Sequence, residues 1–128
     1  MAASMSFELE QFQPGYFLAW EVLTQCANTL TVTLQVGNTV YFTASKSNRD
    51  TKLQLISQNS RTHDCNGTPI LTVTVNESSA LKQSLTSGAI NTQRAVKIGY
   101  VYDFCIEDST DDDYNDVYVN IVGWASRG

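Results

Sequence analysis

The sequence lacks the features that are typical of disulfide-rich, zinc-binding and membrane-spanning proteins. Only three cysteines occur in 128 residues, Cys26, Cys65 and Cys105, an odd number and too few for a disulfide framework. The single histidine, His63, and the scattered cysteines do not form a motif with the spacing of a zinc site. No apolar run approaches the roughly 20 residues of a transmembrane helix. We therefore expect free thiols, no structural zinc and no membrane insertion.

Positive charge is also scarce. Eight Lys and Arg residues face 13 Asp and Glu residues, which gives a formal net charge of −5. Without a basic stripe, nucleic acid is not an expected partner. Segment 1–12 lacks the basic region and continuous apolar run of a secretory signal. We expect synthesis in the cytoplasm, with release to the cell surface or extracellular space only by a route that this sequence does not reveal.

The acidity is concentrated in one segment. Residues 107–116, EDSTDDDYND, contain six of the 13 acidic residues and no basic residue. Without these six, seven acids would face eight bases, so the rest of the chain is close to neutral. Carboxylates this close repel one another unless something neutralises them. A solvated charged loop is the simplest interpretation, but a bound cation explains the local density better.

Apolar residues alternate with polar ones at a period of two, which is typical of strands with one buried face. The alternation is clearest in SFELEQF (6–12), LTVTLQV (30–36), LTVTV (71–75), VKIGYVYDF (96–104) and VYVNIV (117–122). The polar region 45–62 predicts one short strand around Leu53–Ile56. Turn signals separate these segments at 13–15, 37–38, 64–69, 76–79 and 86–88. The sequence therefore predicts one all-β domain over 1–128, an antiparallel β-sandwich of about eight or nine strands of Greek-key type.

The acidic segment lies between two predicted strands and therefore predicts a loop at one end of the sandwich. Calcium takes about six to eight oxygen ligands, and the alternate residues Asp111, Asp113 and Asn115 offer oxygen atoms. The segment is not an EF-hand, because Asp116 stands where that motif needs glycine and Val122 stands where it needs glutamate. The surplus of carboxylates predicts two ions that share ligands.

Enzymatic activity is not expected. A glycosidase needs two carboxylates that face each other across a cleft, whereas these acids lie on one loop with the spacing of metal ligands. The only histidine, His63, lies in a polar turn region and is predicted to be an exposed turn residue, so no nucleophilic triad is indicated.

The segment EDSTDDDYNDVYVNIVGW resembles the signature loop and last strand of the bacterial two-calcium fucose/mannose-binding lectins, the LecB-like calcium-mediated lectins. That family has Gly where this chain has Ser109. Ala27–Asn28 resembles an Ala-Asn pair that precedes an early strand in the family, and this chain, like family members, ends in a glycine, Gly128. The similarity is specific over about twenty residues of the acidic loop and last strand and weak elsewhere.

The resemblance implies two calcium ions per chain. It implies one ion held by Glu107, Asp111, Asp113 and Asp116. It implies a second held by the main-chain oxygen of Asn28, by Asp113, Asn115 and Asp116, and by the terminal carboxylate of Gly128 from a partner chain. Fucose- or mannose-type monosaccharides or glycans would be the ligands, and a homodimer or homotetramer the assembly.

The resemblance also implies sugar contacts by Asp108, Asp111 and Asp113. Family members carry a short specificity loop after the asparagine, and here Thr29 and Leu30 are its nearest counterparts. That loop is shortened, and the chain from Asp116 to Gly128 is about two residues longer than usual. A different class of function stays open, a non-lectin β-domain in which calcium only stabilises the acidic loop.

Overall fold

The computed structural model describes residues 1–108 and 112–126. These residues form nine strands and no helix, so none of them belongs to a helix long and apolar enough to cross a membrane. The strands are β1 (Ala3–Glu8), β2 (Phe17–Thr24), β3 (Leu30–Val36), β4 (Thr39–Lys46), β5 (Gln54–Thr62), β6 (Ile70–Val75), β7 (Lys82–Asn91), β8 (Lys97–Glu107) and β9 (Val117–Trp124).

The strands form two antiparallel sheets. One sheet has the order β1-β6-β3-β4 and the other the order β5-β2-β9-β8-β7. In the second sheet, β7, β8 and β9 follow one another, and β2 lies beside β9 after a long connection through the other sheet. Read from the C-terminus, this is the strand order of a Greek key. The predicted all-β sandwich is confirmed.

The core lies between the two sheets. Strict alternation of buried and half-exposed residues along β2, β3, β6 and β9 places every second side chain in this layer. Aromatic pairs join the sheets across it: Phe7 of β1 lies 4.5 Å from Phe104 of β8, and Trp20 of β2 lies 4.8 Å from Phe42 of β4, between ring centroids. Burial of each such side chain contributes about 1.5–3 kcal/mol.

The predicted turn at 86–88 is wrong. Thr86, Ser87 and Gly88 lie inside β7, where they pair with Asp103, Tyr102 and Val101 of β8. Almost every residue of β7 is exposed on both faces, and the strand lies at the edge of its sheet, next to β8. A strand whose two faces are both exposed to solvent needs no alternation of apolar and polar residues. It accepts polar residues and glycine, so its residue types resemble those of a turn.

Two strand boundaries also differ from the prediction. The strand predicted around Leu53–Ile56 extends over Gln54–Thr62, where β5 forms the other edge of the same sheet and has only exposed or half-exposed residues. The first strand ends at Glu8, four residues before Phe12. Beyond it the chain turns inward, with the amide of Leu9 donating to the Pro69 carbonyl at 2.9 Å.

His63 is not an exposed turn residue. It is 0% exposed, its Nε2–H donates to the Gly67 carbonyl (3.1 Å), and its Nδ1 accepts from the Tyr41 hydroxyl (2.7 Å). Burial lowers the pKa of His63 below the usual histidine value. The sequence predicted its position between strands correctly but not that the chain folds back over it. All three cysteines are free thiols, as expected.

Candidate functional site

The predicted site residues gather at one end of the sandwich. There β8 ends at Glu107, β9 begins at Val117, β2 ends at Thr24 and β3 begins at Leu30. Because β9 pairs with both β2 and β8, the residues that leave these strands come out side by side. Asn28, on the connection from β2 to β3, is thereby brought to the acidic segment that is 80 residues away in the chain.

The main chain of Asp116 is fixed on both sides. Its amide donates to the Ile106 carbonyl at 3.2 Å, and its carbonyl accepts from the Gln25 amide at 3.1 Å. The same carbonyl accepts from the buried hydroxyl of Thr24 at 2.6 Å. Asp116 is therefore a continuation of the sheet and not part of a free loop, so its side chain has a defined direction.

Three carboxylates converge at this point. Oxygen atoms of Glu107, Asp113 and Asp116 all lie within 4.8 Å of one another. Glu107 is 0% exposed and ends β8, Asp116 is half-buried and Asp113 is exposed. Such spacing lets a single cation contact all three, and the gradient of exposure leaves one side open to solvent.

The loop needs an unusual backbone to bring these groups together. Asp112 and Tyr114 have positive φ values of 59° and 53°, in the left-handed region that few non-glycine residues adopt. The amide of Tyr114 donates to Glu107 Oε1 at 3.1 Å, and Lys82 forms an ion pair with Asp112. These contacts hold the loop in a strained shape, a feature that is common at binding sites.

Asp108 links the acidic segment to the β2–β3 connection. Its Oδ2 accepts from Asn28 Nδ2 at 2.7 Å and from the Cys26 thiol at 3.3 Å, and its amide donates to Asp116 Oδ2 at 2.8 Å. Its other oxygen, Oδ1, is buried and has no hydrogen-bond partner among the described residues. A buried carboxylate oxygen without a donor is costly, so this atom is suited to accept from a ligand.

The electrostatics of the site follow from its burial and its charge. Burial, together with the charges of Glu107 and Asp108, raises the pKa of Asp116 to about 6. Burial also raises the pKa of the Cys26 thiol to about 12, with Asp108 adding to the effect, so this thiol is protonated and acts as a hydrogen-bond donor. The carboxylates thus repel one another in the absence of a counter-charge.

The converging residues line one open depression of about 600 Å³. Its wall includes Asn28, Asp108, Asp113, Asn115 and Asp116, five of the residues predicted from the sequence. This volume is in the range of pockets that hold small organic ligands.

A second set of contacts forms the rim of this depression. Arg49, on the loop between β4 and β5, donates to Asn28 Oδ1 at 3.1 Å and forms an ion pair with Glu77. Glu77 belongs to the turn after β6 and lines the depression. Lys46, the last residue of β4, is buried, and its Nζ lies 3.5 Å from the Asn28 carbonyl oxygen.

The remaining predicted residues lie elsewhere. Leu30 is 1% exposed in the core, and the Thr29 hydroxyl accepts from Asn76 Nδ2 at 2.7 Å. Neither of these two lines the depression, and a sugar contact by Leu30 would have to come from its main chain. Asp111 and Gly128 lie outside the described residues, so their predicted roles stay predictions.

Sequence reasoning missed the supports of the site. Five supporting residues act through contacts between strands or loops that are distant in the chain: Thr24, Cys26, Lys46, Arg49 and Glu77. A partial signal was available for Lys46, because it occupies the inward-facing register of β4 that Ala44 and Phe42 share. The ion pair between Arg49 and Glu77 joins two loops and has no signature in the sequence.

The donor set fits a hard cation. All the candidate donors are oxygen atoms, three carboxylates lie within reach of one ion, and Asp108 Oδ1 is buried without a donor. No histidine or thiolate takes part, because His63 is in another part of the sandwich and Cys26 is protonated. Oxygen-rich sites of this kind suit calcium better than zinc.

No protein-family model and no curated protein sequence matches this chain. Solved structures do. The C-terminal domain of the lectin BC2L-C from Burkholderia cenocepacia is 22% identical with a TM-score of 0.65, and the match covers 100% of both chains. A high-affinity mannose-binding lectin from Ralstonia solanacearum is 23% identical with a TM-score of 0.64, over 92% of this chain and 95% of the other.

A third solved structure is the lectin CV2L from Chromobacterium violaceum, in complex with alpha-methyl-fucoside. It is 19% identical with a TM-score of 0.58, over 91% of this chain and 99% of the other. All three are bacterial lectins, so the resemblance seen in the acidic segment is confirmed at the level of the fold. The chain therefore has the fold of these bacterial lectins over nearly its whole length.

Proposed function

We propose that this chain is a calcium-dependent lectin that binds fucose- or mannose-type monosaccharides through two bridged calcium ions. One observation carries the proposal: Asn28 and the acidic segment meet in an open depression on a fold shared with bacterial lectins. One of those lectins is mannose-binding and another is in complex with alpha-methyl-fucoside, which supports this class of sugar.

The chain supplies most of the required ligands itself. Glu107, Asp113 and Asp116 are grouped closely enough for one ion, and Asp111 is proposed to join them. Asn28 and Asn115 line the same depression and are proposed to hold a second ion, with Asp113 and Asp116 shared between the two. The terminal carboxylate of Gly128 from a partner chain is the last proposed ligand.

Calcium, when bound, offers coordination positions to adjacent sugar hydroxyls. The side chains of this protein orient the sugar. Asp108 is held by Asn28 and the Cys26 thiol through Oδ2, which leaves Oδ1 to accept from a sugar hydroxyl. A hydrogen bond to an ionised carboxylate is about twice as strong as a neutral one. Asp113, which is exposed, and Asp111 are proposed to accept from neighbouring hydroxyls.

The proposed activity is that of a binding protein and not of an enzyme, in agreement with the three solved structures, all of which are lectins. Binding of a single sugar at an open, polar site is weak, since it buries little apolar surface. A homodimer or homotetramer would present several sites at once and gain avidity on a glycan-bearing surface. Release from the cytoplasm to such a surface is part of the same proposal.

Calorimetric titration of the calcium-loaded protein with methyl fucoside and methyl mannoside tests the proposal. We expect binding that disappears in a chelator and returns when calcium is restored. An Asp113→Asn variant should lose sugar binding, whereas Asp64→Asn, which changes an exposed carboxylate paired with Arg61, should not. Sugar binding that persists in the chelator, or no binding of any fucoside or mannoside, would contradict it.

The rival function gives a different result in the same experiment. In a β-domain where calcium only stabilises the acidic segment, calcium binds without any response to sugars. Metal analysis of the dialysed protein would add a second criterion, because the lectin needs two ions per chain and a stabilising loop needs one.

A further inference from the structure

Lys46 is a buried cation at the edge of the candidate metal site. It is 2% exposed, and its ammonium donates to the Asn48 carbonyl at 2.6 Å and to the Asn28 carbonyl at 3.5 Å. No carboxylate oxygen of residues 1–108 or 112–126 forms a salt bridge with it. A lysine this buried is rare without a paired acid, and here the ammonium donates to main-chain oxygens of Asn28 and Asn48.

The carbonyl oxygen of Asn28 is both a proposed calcium ligand and an acceptor for the Lys46 ammonium. The family resemblance assigns this oxygen to a calcium ion, and the side chain of the same residue is fixed on Asp108 at 2.7 Å. An ion bound to that oxygen at about 2.3–2.6 Å would lie within roughly 6 Å of the Lys46 ammonium. The Asn28 carbonyl is thus flanked by a positive charge of the protein itself.

We propose that Lys46 sets the affinity of the metal position next to Asn28. In the metal-free chain its ammonium supplies positive charge beside the Asn28 carbonyl, and it opposes the binding of the second calcium ion there. The inference rests on the proposed two-calcium function and concerns this chain's own residue. The effect is assigned to the second position because the Lys46 ammonium contacts the Asn28 carbonyl and forms no salt bridge with Glu107, Asp113 or Asp116, the carboxylates proposed for the first ion.

The size of the effect follows from Coulomb's law. Charges of +1 and +2 that lie about 5–6 Å apart repel enough, even at the dielectric constant of bulk water, to change a dissociation constant roughly tenfold. The surroundings of Lys46 are less polar than water because the side chain is buried, so tenfold is the lower end of the expected effect.

A purely structural role for Lys46 makes a different prediction. Its bond to the Asn48 carbonyl holds the start of the loop that carries Arg49, and Arg49 in turn contacts Asn28. If this were its only role, removal of the lysine would loosen Asn28 and weaken metal binding. The two roles therefore shift calcium affinity in opposite directions.

The experiment is calorimetric titration of chelator-stripped protein with calcium chloride, in the wild type and in Lys46→Met, Lys46→Gln and Lys46→Arg. We expect the second binding step to tighten about tenfold or more in both neutral variants and to stay weak in Lys46→Arg. Lys46→Gln keeps a hydrogen-bond donor and so separates charge from hydrogen bonding. Lys97→Met is the matched control, because Lys97 contacts Gln11 and begins β8 at the end opposite Glu107.

Unchanged or weaker second-ion binding in both neutral variants, with circular dichroism like that of the wild type, would overturn the role of Lys46. A wild type with one binding step and a Lys46→Met variant with two would support it. If neither the wild type nor any variant binds calcium, the proposed function itself fails and the inference fails with it. The two failures are thus distinguishable.

Discussion

Replacement of Glu107 by glutamine is expected to have opposite effects with and without calcium. Glu107 is fully buried, and one of its oxygens lies within 4.8 Å of oxygens of Asp113 and Asp116. Glutamine has nearly the same shape and retains Oε1, the atom that accepts from the Tyr114 amide at 3.1 Å. The substitution therefore changes the charge and leaves the packing of the loop in place.

In a chelator the variant should be more stable than the wild type. Two unit charges about 4.8 Å apart repel by about 3 kcal/mol at an effective dielectric constant of 20, and solvent screening at the exposed Asp113 reduces this. We therefore expect a net gain of about 1 kcal/mol, which for a domain of this size raises the melting temperature by about 4 °C.

With calcium the order should be reversed. Calcium at about 100 times its dissociation constant stabilises a protein by about 2.7 kcal/mol per site. Loss of an anionic ligand that weakens binding tenfold removes about 1.4 kcal/mol of that gain. We expect the calcium-induced rise in melting temperature to be at least about 5 °C smaller in the variant than in the wild type.

The assay is thermal unfolding by circular dichroism at pH 7.5, in chelator and in a calcium series. Glu8→Gln is the control, because Glu8 is an exposed carboxylate at the end of β1, opposite the site. A Glu107→Gln variant that melts below the wild type in chelator would refute the idea that the cluster is destabilised by its own charge. An undiminished calcium response would refute Glu107 as a ligand.

Three further predictions concern the supports of the fold and the site. Protonation of buried His63 is disfavoured in the folded chain, so stability should fall as the pH drops below about 6.5, measured by urea unfolding at several pH values. Gly123→Ala would place a Cβ 2.6 Å from Phe12 in the core and should cost about 1–3 kcal/mol in the same assay. Thr24→Val removes the bond to the Asp116 carbonyl and should lower stability by about 1–3 kcal/mol and weaken calcium binding, measured by calorimetry.

Each of these has a result that would count against it. A His63→Gln variant with the same acid sensitivity as the wild type would assign the pH effect to other groups. Gly88→Ala is the control for Gly123→Ala, because a Cβ at Gly88 would have no neighbour within 4 Å, and equal losses would exclude the core clash. Thr43→Val changes an exposed threonine of β4, and an equal loss there would exclude a specific role for Thr24.

The sequence predicted strands correctly where one face of the strand is buried. It predicted strands wrongly or incompletely where neither face is buried. In β3 and β9, alternation of apolar and polar residues is the direct result of burial on one side. In β5 and β7 the strand exists because its backbone pairs with a neighbour, and side-chain pattern carries no trace of that pairing. The burial of His63 could not be predicted because it depends on a contact with Tyr41, which is 22 residues away in the chain.

The site was predictable in its ligands and not in its supports. Asn28 and the acidic segment were brought together by resemblance, and the structure places their side chains 2.7 Å apart. The buried charge of Lys46 and the Asp108 bond to Cys26 depend on which strands are neighbours. Pairing of that kind follows from the whole topology and is not encoded in any short segment.

The depression lies at one end of the sandwich, where segments from both sheets meet, and this position has a consequence for unfolding. Glu107 and Asp116 extend from the five-stranded sheet, while the Asn28 connection enters the four-stranded sheet at Leu30. An ion held by both sides would act as a cross-link between the layers, so that neither sheet could open without releasing it. With the ion bound, amide hydrogen exchange would then slow in the interior strands of both sheets together, because the two sheets would open as one cooperative unit and not separately.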